Sequence, residues 1–295
     1  MHTPVMPREA LELLRLPQGG VAVDGTIGLS GHALLMAEAL GHHGHLIGID
    51  RDNASLGLAQ KKLASLKLKI DLLKGSFSAL DKFLAGLKVS AVDGILLDLG
   101  ISSFQLDDEN RGFAFKSDGP LDMRMDQETQ GISAADLVNT FKQDQLEKII
   151  SEFGEERFAR RIAEAIVMHR ARAKIATTKS LADIILRALP KGYTRGRIHP
   201  ATRTFQAIRI AVNGELDALA QGLEVCFRAL KKGGRLCVIT FHSLEDRLVK
   251  NKFKSLGLQQ EGVILTKRPL TASFEECAAN PRSRSAKLRA IERVG

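Results

Sequence analysis

The chain has 295 residues, longer than a typical single domain of about 100 to 200 residues, so two units or one with a large insertion are expected. Its composition, 44% hydrophobic and 26% charged, is that of a soluble protein, and its apolar runs, such as 94–99, fall far short of the roughly 18 residues a membrane span needs. The formal net charge of +9 favours an acidic partner.

The start, MHTPVMPREA, lacks a basic segment followed by an apolar core and a cleavage site, so a cytoplasmic location is expected. The three cysteines, Cys226, Cys237 and Cys277, are odd in number and unpatterned, which supports neither a disulfide framework nor a zinc site. No metal is expected.

In chain order, VAV at 21–23 ends a buried strand and ALLM at 33–36 opens an apolar helix, leaving DGTIGLSGH at 24–32 as the loop between them. A second strand, HLIGID, spans 45–50, followed by a helix over 52–66, a strand over 68–75, a helix over 78–87 and a strand over 92–100. Strands alternating with helices predict a parallel sheet covered on both faces.

From about Asp107 the sequence turns loop-like. Helical spacing then takes over at Leu146, Ile149, Ile150 and Phe153, at Phe158, Ile162 and Ile166, and at Leu181, Ile184 and Ile185. A further helix after Pro200 is expected to end at Gly233-Gly234, with Asn213-Gly214 as a break. RLCVITF at 235–241 reads as a fifth strand, Ser243 as the cap of the next helix, and 258–266 and 285–293 as edge strands. The chain is therefore read as α/β, with a core formed by 1–108 and 212–295 and a helical insertion over 109–211.

The positive charge is concentrated in that insertion. Between 157 and 210 thirteen Lys and Arg stand against two acids, Glu164 and Asp183. Solubility is better served by mixed signs, so the surplus points to a polyanion. Arg157, Arg160, Arg161, Arg195, Arg197, His199, Arg203 and Arg209 are the candidate phosphate contacts. Arg111 and Arg124 lie among the acids Asp107, Asp108, Asp118, Asp122 and Asp126, where internal Arg-to-Asp pairs are a better reading than a Mg²⁺ site.

Gly25, Gly28 and Gly31 permit a tight turn and close backbone approach, and the following helix presents free N–H groups. Asp50 stands 26 residues after Asp24, in the neighbourhood of a ribose-binding acid. Two cofactor classes fit, dinucleotides and S-adenosylmethionine. The loop does not match G-x-G-x-x-G, and S-adenosylmethionine, which has no phosphate, needs an acid near its amino-acid end. Asp24 is placed for that, so the methyl donor fits better. Phe77 follows the third strand and could flank an adenine. Asp98 ends the fourth strand at the sheet edge where such folds bind ligands.

The stretches HTPVM, GHLIGIDRD, DGILLDLGISSFQLDDENRGFAFKSDGPLDMRMD, GEERFARRIAEAI, HPATRTFQAIRIAVNGEL, GGRLCVITFHSLEDRLVK and NPRSRSAKLRAIER closely resemble the bacterial 16S rRNA cytosine-N4 methyltransferases, the RsmH or MraW family. They run through nearly the whole chain in family order. The resemblance implies a Rossmann-like class I S-adenosylmethionine-dependent methyltransferase core with an inserted all-helical domain for substrate recognition. It implies methylation of N4 of a cytidine in the decoding region of 16S rRNA, in the small ribosomal subunit.

The family's cofactor contacts fall on Ser30, Gly31, His32, Asp50, Phe77, Asp98 and Gln105. One departure is that Leu29 and Ser30 stand where the family loop carries more consecutive glycines, which stiffens the loop and could alter cofactor affinity.

The exocyclic amine of cytosine is a poor nucleophile, so a hydrogen-bond acceptor must polarise an N–H while the methyl is held in line. Asp98 is the first candidate, with Ser102 and Ser103 weaker ones. DNA amino methyltransferases often carry an acid or Asn, two prolines and an aromatic at this place, where this chain has DLGISS, so Asp98 could serve cofactor binding alone. Methylation at carbon 5 needs a cysteine nucleophile, and none lies near the fourth strand. With one Tyr and no Trp, recognition of splayed RNA is expected to rest on shape and phosphates. The other readings are a methyltransferase on another nucleic acid and a non-catalytic RNA-binding assembly factor; monomer and homodimer stay open.

Overall fold

The computed structural model describes residues 4–190, 193 and 199–294. They form two compact units, one from 1–100 with 216–295 and one from 101–215.

The first unit is built on strands β1 (Val21–Asp24), β2 (His45–Asp50), β3 (Lys69–Lys74), β4 (Val92–Asp98), β5 (Leu230–Thr240), β6 (Gly262–Ile264), β7 (Leu270–Thr271) and β8 (Lys287–Arg293). Their order is β3-β2-β1-β4-β5-β8-β6, with β7 also paired to β8. The first five run parallel to their neighbours, and β8 runs antiparallel to β5, β6 and β7. The chain steps outward from β1 to β3 and returns at β4 on the other side of β1. Their carboxyl ends are therefore the topological switch point, where open α/β sheets take ligands.

Both faces of the sheet are covered by helices, among them α1 (Pro7–Leu14), α2 (Gly31–Leu40), α3 (Asn53–Leu63) and α4 (Leu80–Leu87). On β4 the alternation sends Ile95 and Leu97 into one core, with Leu80, Leu223, Phe227 and Phe253, and Leu96 into the other, with Leu14, Met36 and Leu40. Each such side chain contributes roughly 1.5–3 kcal/mol when fully buried.

The second unit contains α5 (Ser103–Asp107), α6 (Ala134–Thr140), α7 (Gln143–Gly154), α8 (Ala159–Arg170), α9 (Thr178–Ala188) and α10 (Thr202–Asn213). It has its own core of Leu121, Leu137, Leu146, Ile150, Ile162, Ile166, Leu181, Ile185, Phe205 and Ile208. Ile101, Leu106 and Val212 pack against that core, which is why the unit extends a few residues beyond 109–211 at each end. Its strand content among the described residues is one bridge, Pro120 to Thr177.

Several local expectations are corrected. The break at Asn213-Gly214 is present, but α11 (Glu215–Ala229) stops before Gly233-Gly234. That pair lies inside β5, where Leu230 aligns with Val92 and Arg235 with Gly94, so the extra residues bulge out. Gly233 takes φ +80°, and a Cβ on Gly234 would sit 2.9 Å from the Lys231 carbonyl oxygen. Helix α12 (Ser243–Leu258) is capped by His242 rather than Ser243, the Glu245 N–H donating to the imidazole Nδ1 at 3.4 Å. Helices α1 and α13 (Phe274–Ala279) and strand β7 were not expected.

The loop acids behave as anticipated at one pair. Arg124 donates to both carboxylate oxygens of Asp122, from Nε at 2.9 Å and Nη2 at 2.7 Å. Burial pushes the Asp122 carboxyl up, but these bonds outweigh it and hold it below the usual range. Arg111 donates to the carbonyls of Arg124 and Met125, and Asn213 bonds Met123 and Met125, so the loop is tied to the end of α10.

Candidate active site

Three adjacent parallel strands of the first unit each end in an aspartate: Asp24 on β1, Asp50 on β2 and Asp98 on β4. Because β1 lies between the other two, Asp24 is the middle acid. The loop after β1 needs glycine at 25, where a Cβ would approach Leu97 Cδ2 to 2.5 Å, and at Gly28, whose φ is +44°. Asp50 fixes this loop by accepting from the Gly28 N–H through Oδ2 and from the Asp52 N–H through Oδ1, both at 2.9 Å.

All three carboxyls are held above the usual range by burial, Asp24 to about 7, Asp50 to about 6 and Asp98 to about 7. At Asp24, His32 and the Thr26 N–H oppose burial, and the Asp98 and Asp50 charges add to it. At Asp50 the backbone bonds from Asp52, Gly28 and Arg51 oppose burial while the Asp52 charge adds to it, and at Asp98 the Glu245 charge reinforces it. The Asp98 backbone N–H donates to Thr26 Oγ1 at 2.7 Å, while its side-chain Oδ1 is buried with no partner among the described residues.

His32, in the first turn of α2, is buried and lies with Nδ1 3.6 Å from Asp98 Oδ2 and Nε2 2.8 Å from the Val5 carbonyl oxygen. Burial lowers its pKa, with Asp24 acting the other way. Gly31 packs on the N-terminal segment, its absent Cβ falling 3.0 Å from Pro4. Ser30 sits before α2 at φ +63° and does not cap the helix with its side chain. Phe77 is half-buried in a short 3₁₀ turn, against Gly222 of α11, where a Cβ would come within 2.4 Å of the ring.

Sequence reasoning missed His242 and Glu245 at the carboxyl end of β5. Glu245 is buried and its Oε2 accepts from the backbone of Phe241 at 2.8 Å and of His242 at 3.3 Å. The available signal was the acid-bearing FHSLED following an apolar strand on the same sheet edge.

In the second unit, Ser102 and Gln105 form a reciprocal capping box on α5, Ser102 Oγ accepting from Gln105 N and Gln105 Oε1 from Ser102 N. That hydroxyl is thereby engaged locally. Ser103 is buried beside it.

Arg157, Arg160, Arg161 and Arg203 are exposed. Arg157 lies over Phe158 at 4.6 Å and over Tyr193 at 5.3 Å, and Arg203 donates to the Glu155 carbonyl. His199 is exposed, stacked on Phe115 with centroids 4.5 Å apart. Arg209 differs from the expectation, because its Nε and Nη2 donate to Glu215 at 2.8 Å and only 15% of its side chain is exposed. Arg195 and Arg197 lie outside the described residues.

A family model described as the MraW methylase family matches residues 1–294. The chain belongs to the MraW methylase family.

Two similar curated proteins are named ribosomal RNA small subunit methyltransferase H. The one from Syntrophotalea carbinolica is 51% identical, over 99% of this chain and 98% of its own. The one from Geobacter sulfurreducens is also 51% identical, over 99% of both. A solved rRNA-methylase candidate from Clostridium thermocellum shares the fold with a TM-score of 0.50 at 12% identity, covering 100% of this chain and 98% of that one. This MraW-family chain is a methyltransferase with a class I core, and its methyl donor is S-adenosylmethionine.

The site suits that cofactor. S-adenosylmethionine carries cationic sulfonium and ammonium groups, and Asp24, Asp50 and Asp98 form no pair with a Lys or Arg among the described residues. Buried acids without a counter-charge are held ready for a cationic ligand.

Proposed function

We propose that this chain methylates N4 of a cytidine in the decoding region of 16S rRNA. The observation that carries this reading is the end-to-end 51% identity to the small-subunit rRNA methyltransferases H. Asp98, a partly buried acceptor at the switch point, supports the choice of an exocyclic amine.

Bound S-adenosylmethionine supplies an electrophilic methyl group. Asp24, Asp50 and the loop 28–32 hold and orient it, with Phe77 flanking the adenine. Asp98 accepts a hydrogen bond from the cytosine amine and then its proton, which raises the electron density at N4. Positioning of the two reactants can supply roughly 7 to 11 kcal/mol of the acceleration.

A cysteine-based carbon-5 mechanism has no support here. Cys226 and Cys237 are fully buried with their thiols pushed up, Cys226 to about 12. The exposed Arg157, Arg160, Arg161 and Arg203 of the helical unit grip phosphates, making it the substrate-recognition unit. No described helix is long and apolar enough to cross a membrane, and a cytoplasmic enzyme working on the small ribosomal subunit is the corresponding setting.

The test is incubation with labelled S-adenosylmethionine and either unmodified small subunits or stripped 16S rRNA, followed by nucleoside mass spectrometry. N4-methylcytidine at one site is expected. Methyl on another atom, or no transfer with cofactor bound, would overturn the reading.

A further inference from the structure

The Asp98 carboxylate has two unlike oxygens. Oδ1 is sealed from solvent with no partner among the described residues, whereas Oδ2 faces His32 Nδ1 at 3.6 Å, and the side chain as a whole keeps 24% exposure. A proton from outside therefore reaches Asp98 at Oδ2.

The other imidazole nitrogen is committed. The acceptor next to Nε2 is the Val5 carbonyl at 2.8 Å, and a carbonyl only accepts, so Nε2 carries the hydrogen. In the neutral ring, Nδ1 is then a lone pair aimed at Oδ2. Two features keep the ring neutral: it is buried, and it occupies the first turn of α2, where the positive end of the helix dipole disfavours imidazolium. The Val5 carbonyl is itself anchored. Met6, left-handed at φ +48° and buried, donates its N–H to Glu276 Oε1 at 2.7 Å.

We propose that His32 is a positioning residue for methyl transfer, acting through Asp98 by offering Nδ1 as the acceptor for the proton that Asp98 takes from the substrate amine. This rests on the reading of Asp98 as the amine's acceptor. The balance is simple. The amine nitrogen takes the methyl as the sulfonium–methyl bond breaks, that bond's electron pair staying on the sulfur of the departing thioether; the proton the nitrogen loses moves to Oδ2, and the resulting Oδ2–H donates to Nδ1. An ionised Asp98 meets a lone pair at Nδ1 and an unsatisfied environment at Oδ1, and protonation relieves both. The other charged groups acting on the pair are Asp24 and Glu276 on His32 and Glu245 on Asp98. All are acidic, so none competes with His32 as a proton-accepting base of neutral charge.

The test separates the two nitrogens. In His32→Gln the terminal amide can still reach the Val5 carbonyl but nothing replaces Nδ1. In His32→Asn the side-chain amide occupies the place of Nδ1 and the Val5 bond is lost. For His32→Gln at saturating S-adenosylmethionine, with occupancy checked by calorimetry because His32 belongs to the cofactor loop, kcat is expected to fall on the order of 100-fold and the acid limb of the kcat–pH profile to move to lower pH. His32→Asn is expected to recover part of kcat.

In the free protein, nitrogen NMR should show His32 as the Nε2–H tautomer near neutral pH, with its Nδ1 resonance shifting in Asp98→Asn. An imidazolium or Nδ1–H form at neutral pH would overturn the proposal, as would a His32→Gln protein with normal kcat and an unmoved profile. If Asp98→Asn retained full kcat, the reading of Asp98 would fail first. If Asp98→Asn were inactive and His32→Gln normal, only the role of His32 would fall.

Discussion

In the sheet unit the decisive ionisable groups are wholly or partly buried and lack a basic partner, whereas in the helical unit they are exposed, or are paired and so withdrawn from ligands. Asp24, Asp50 and Asp98 sit at strand ends with raised pKa values and no Lys or Arg partner among the described residues. Arg160 and Arg161 face solvent on α8, while Arg209 is held by Glu215. The difference separates two tasks. Chemistry on a methyl group needs charges fixed in a low dielectric, where each is worth more. Holding a polyanion needs mobile surface cations whose worth depends on salt.

The strongest challenge to this contrast is Asp98→Asn. A kcat lower by about 10²- to 10³-fold at saturating cofactor is expected, read by single-turnover kinetics with occupancy checked by calorimetry. A similar loss from Arg160→Ala would erase the distinction between the units.

Core truncations sharpen it from the side of stability. Ile47→Ala on β2 and Ile162→Ala on α8 each remove a fully buried side chain and are expected to cost about 2 to 5 kcal/mol. Hydrogen exchange should rise mainly within the unit that carries the substitution, since the helical unit's core shares no residue with either core of the sheet unit.

A smaller effect is expected from the double replacement of Arg160 and Arg161 by Ala. RNA affinity should weaken about 10-fold at low salt, and the slope of log K against log salt should fall by about 2. Arg209→Ala should leave that slope unchanged and lower stability instead, because it strands Glu215, 9% of whose side chain is exposed.

The acids of the sheet unit also predict a pH dependence of stability. The folded pKa values of about 7, 6 and 7 for Asp24, Asp50 and Asp98 lie above the ordinary 3.8, so the folded state binds these protons more tightly than the unfolded chain. Their contribution is fully present below about pH 4 and is lost as pH rises through 6 to 7. The melting temperature of the cofactor-free protein should fall over that window, and Asp24→Asn should flatten the fall.

The strands and acids of the site were legible because each is written locally. An apolar run such as HLIGID or VDGILLD ends in Asp where it leaves the sheet, and burial on both faces demands such runs. The break at Asn213 was legible for the same reason. What escaped depends on partners distant in sequence. PREALELL is too short to declare itself and folds as α1 because Ala10 and Leu14 are buried by the sheet. Gly233-Gly234 reads as a helix stop until its pairing with β4 turns it into a bulge. Nothing near His32 in the sequence announces that Val5 and, through Met6, Glu276 set which ring nitrogen carries the hydrogen. Arg209 shows the converse, a cation whose role changes because Glu215 follows six residues later, just past the Gly214 break.

The pairing of β4 with β5 also orders the protein's birth. Residues 92–98 must find residues 230–240 across the entire helical unit. At a synthesis rate of about 5 to 20 residues per second, β4 waits on the order of 10 s for its neighbour. Through that interval the nascent half-sheet shows an unpaired edge at Ile95, Leu96 and Leu97, all fully buried in the finished protein, which is a template for pairing with other chains. The helical unit has a core of its own and is completed before β5 emerges. Newborn chains of this enzyme should therefore lean most on chaperones after β4 has left the ribosome and until β5 has followed it.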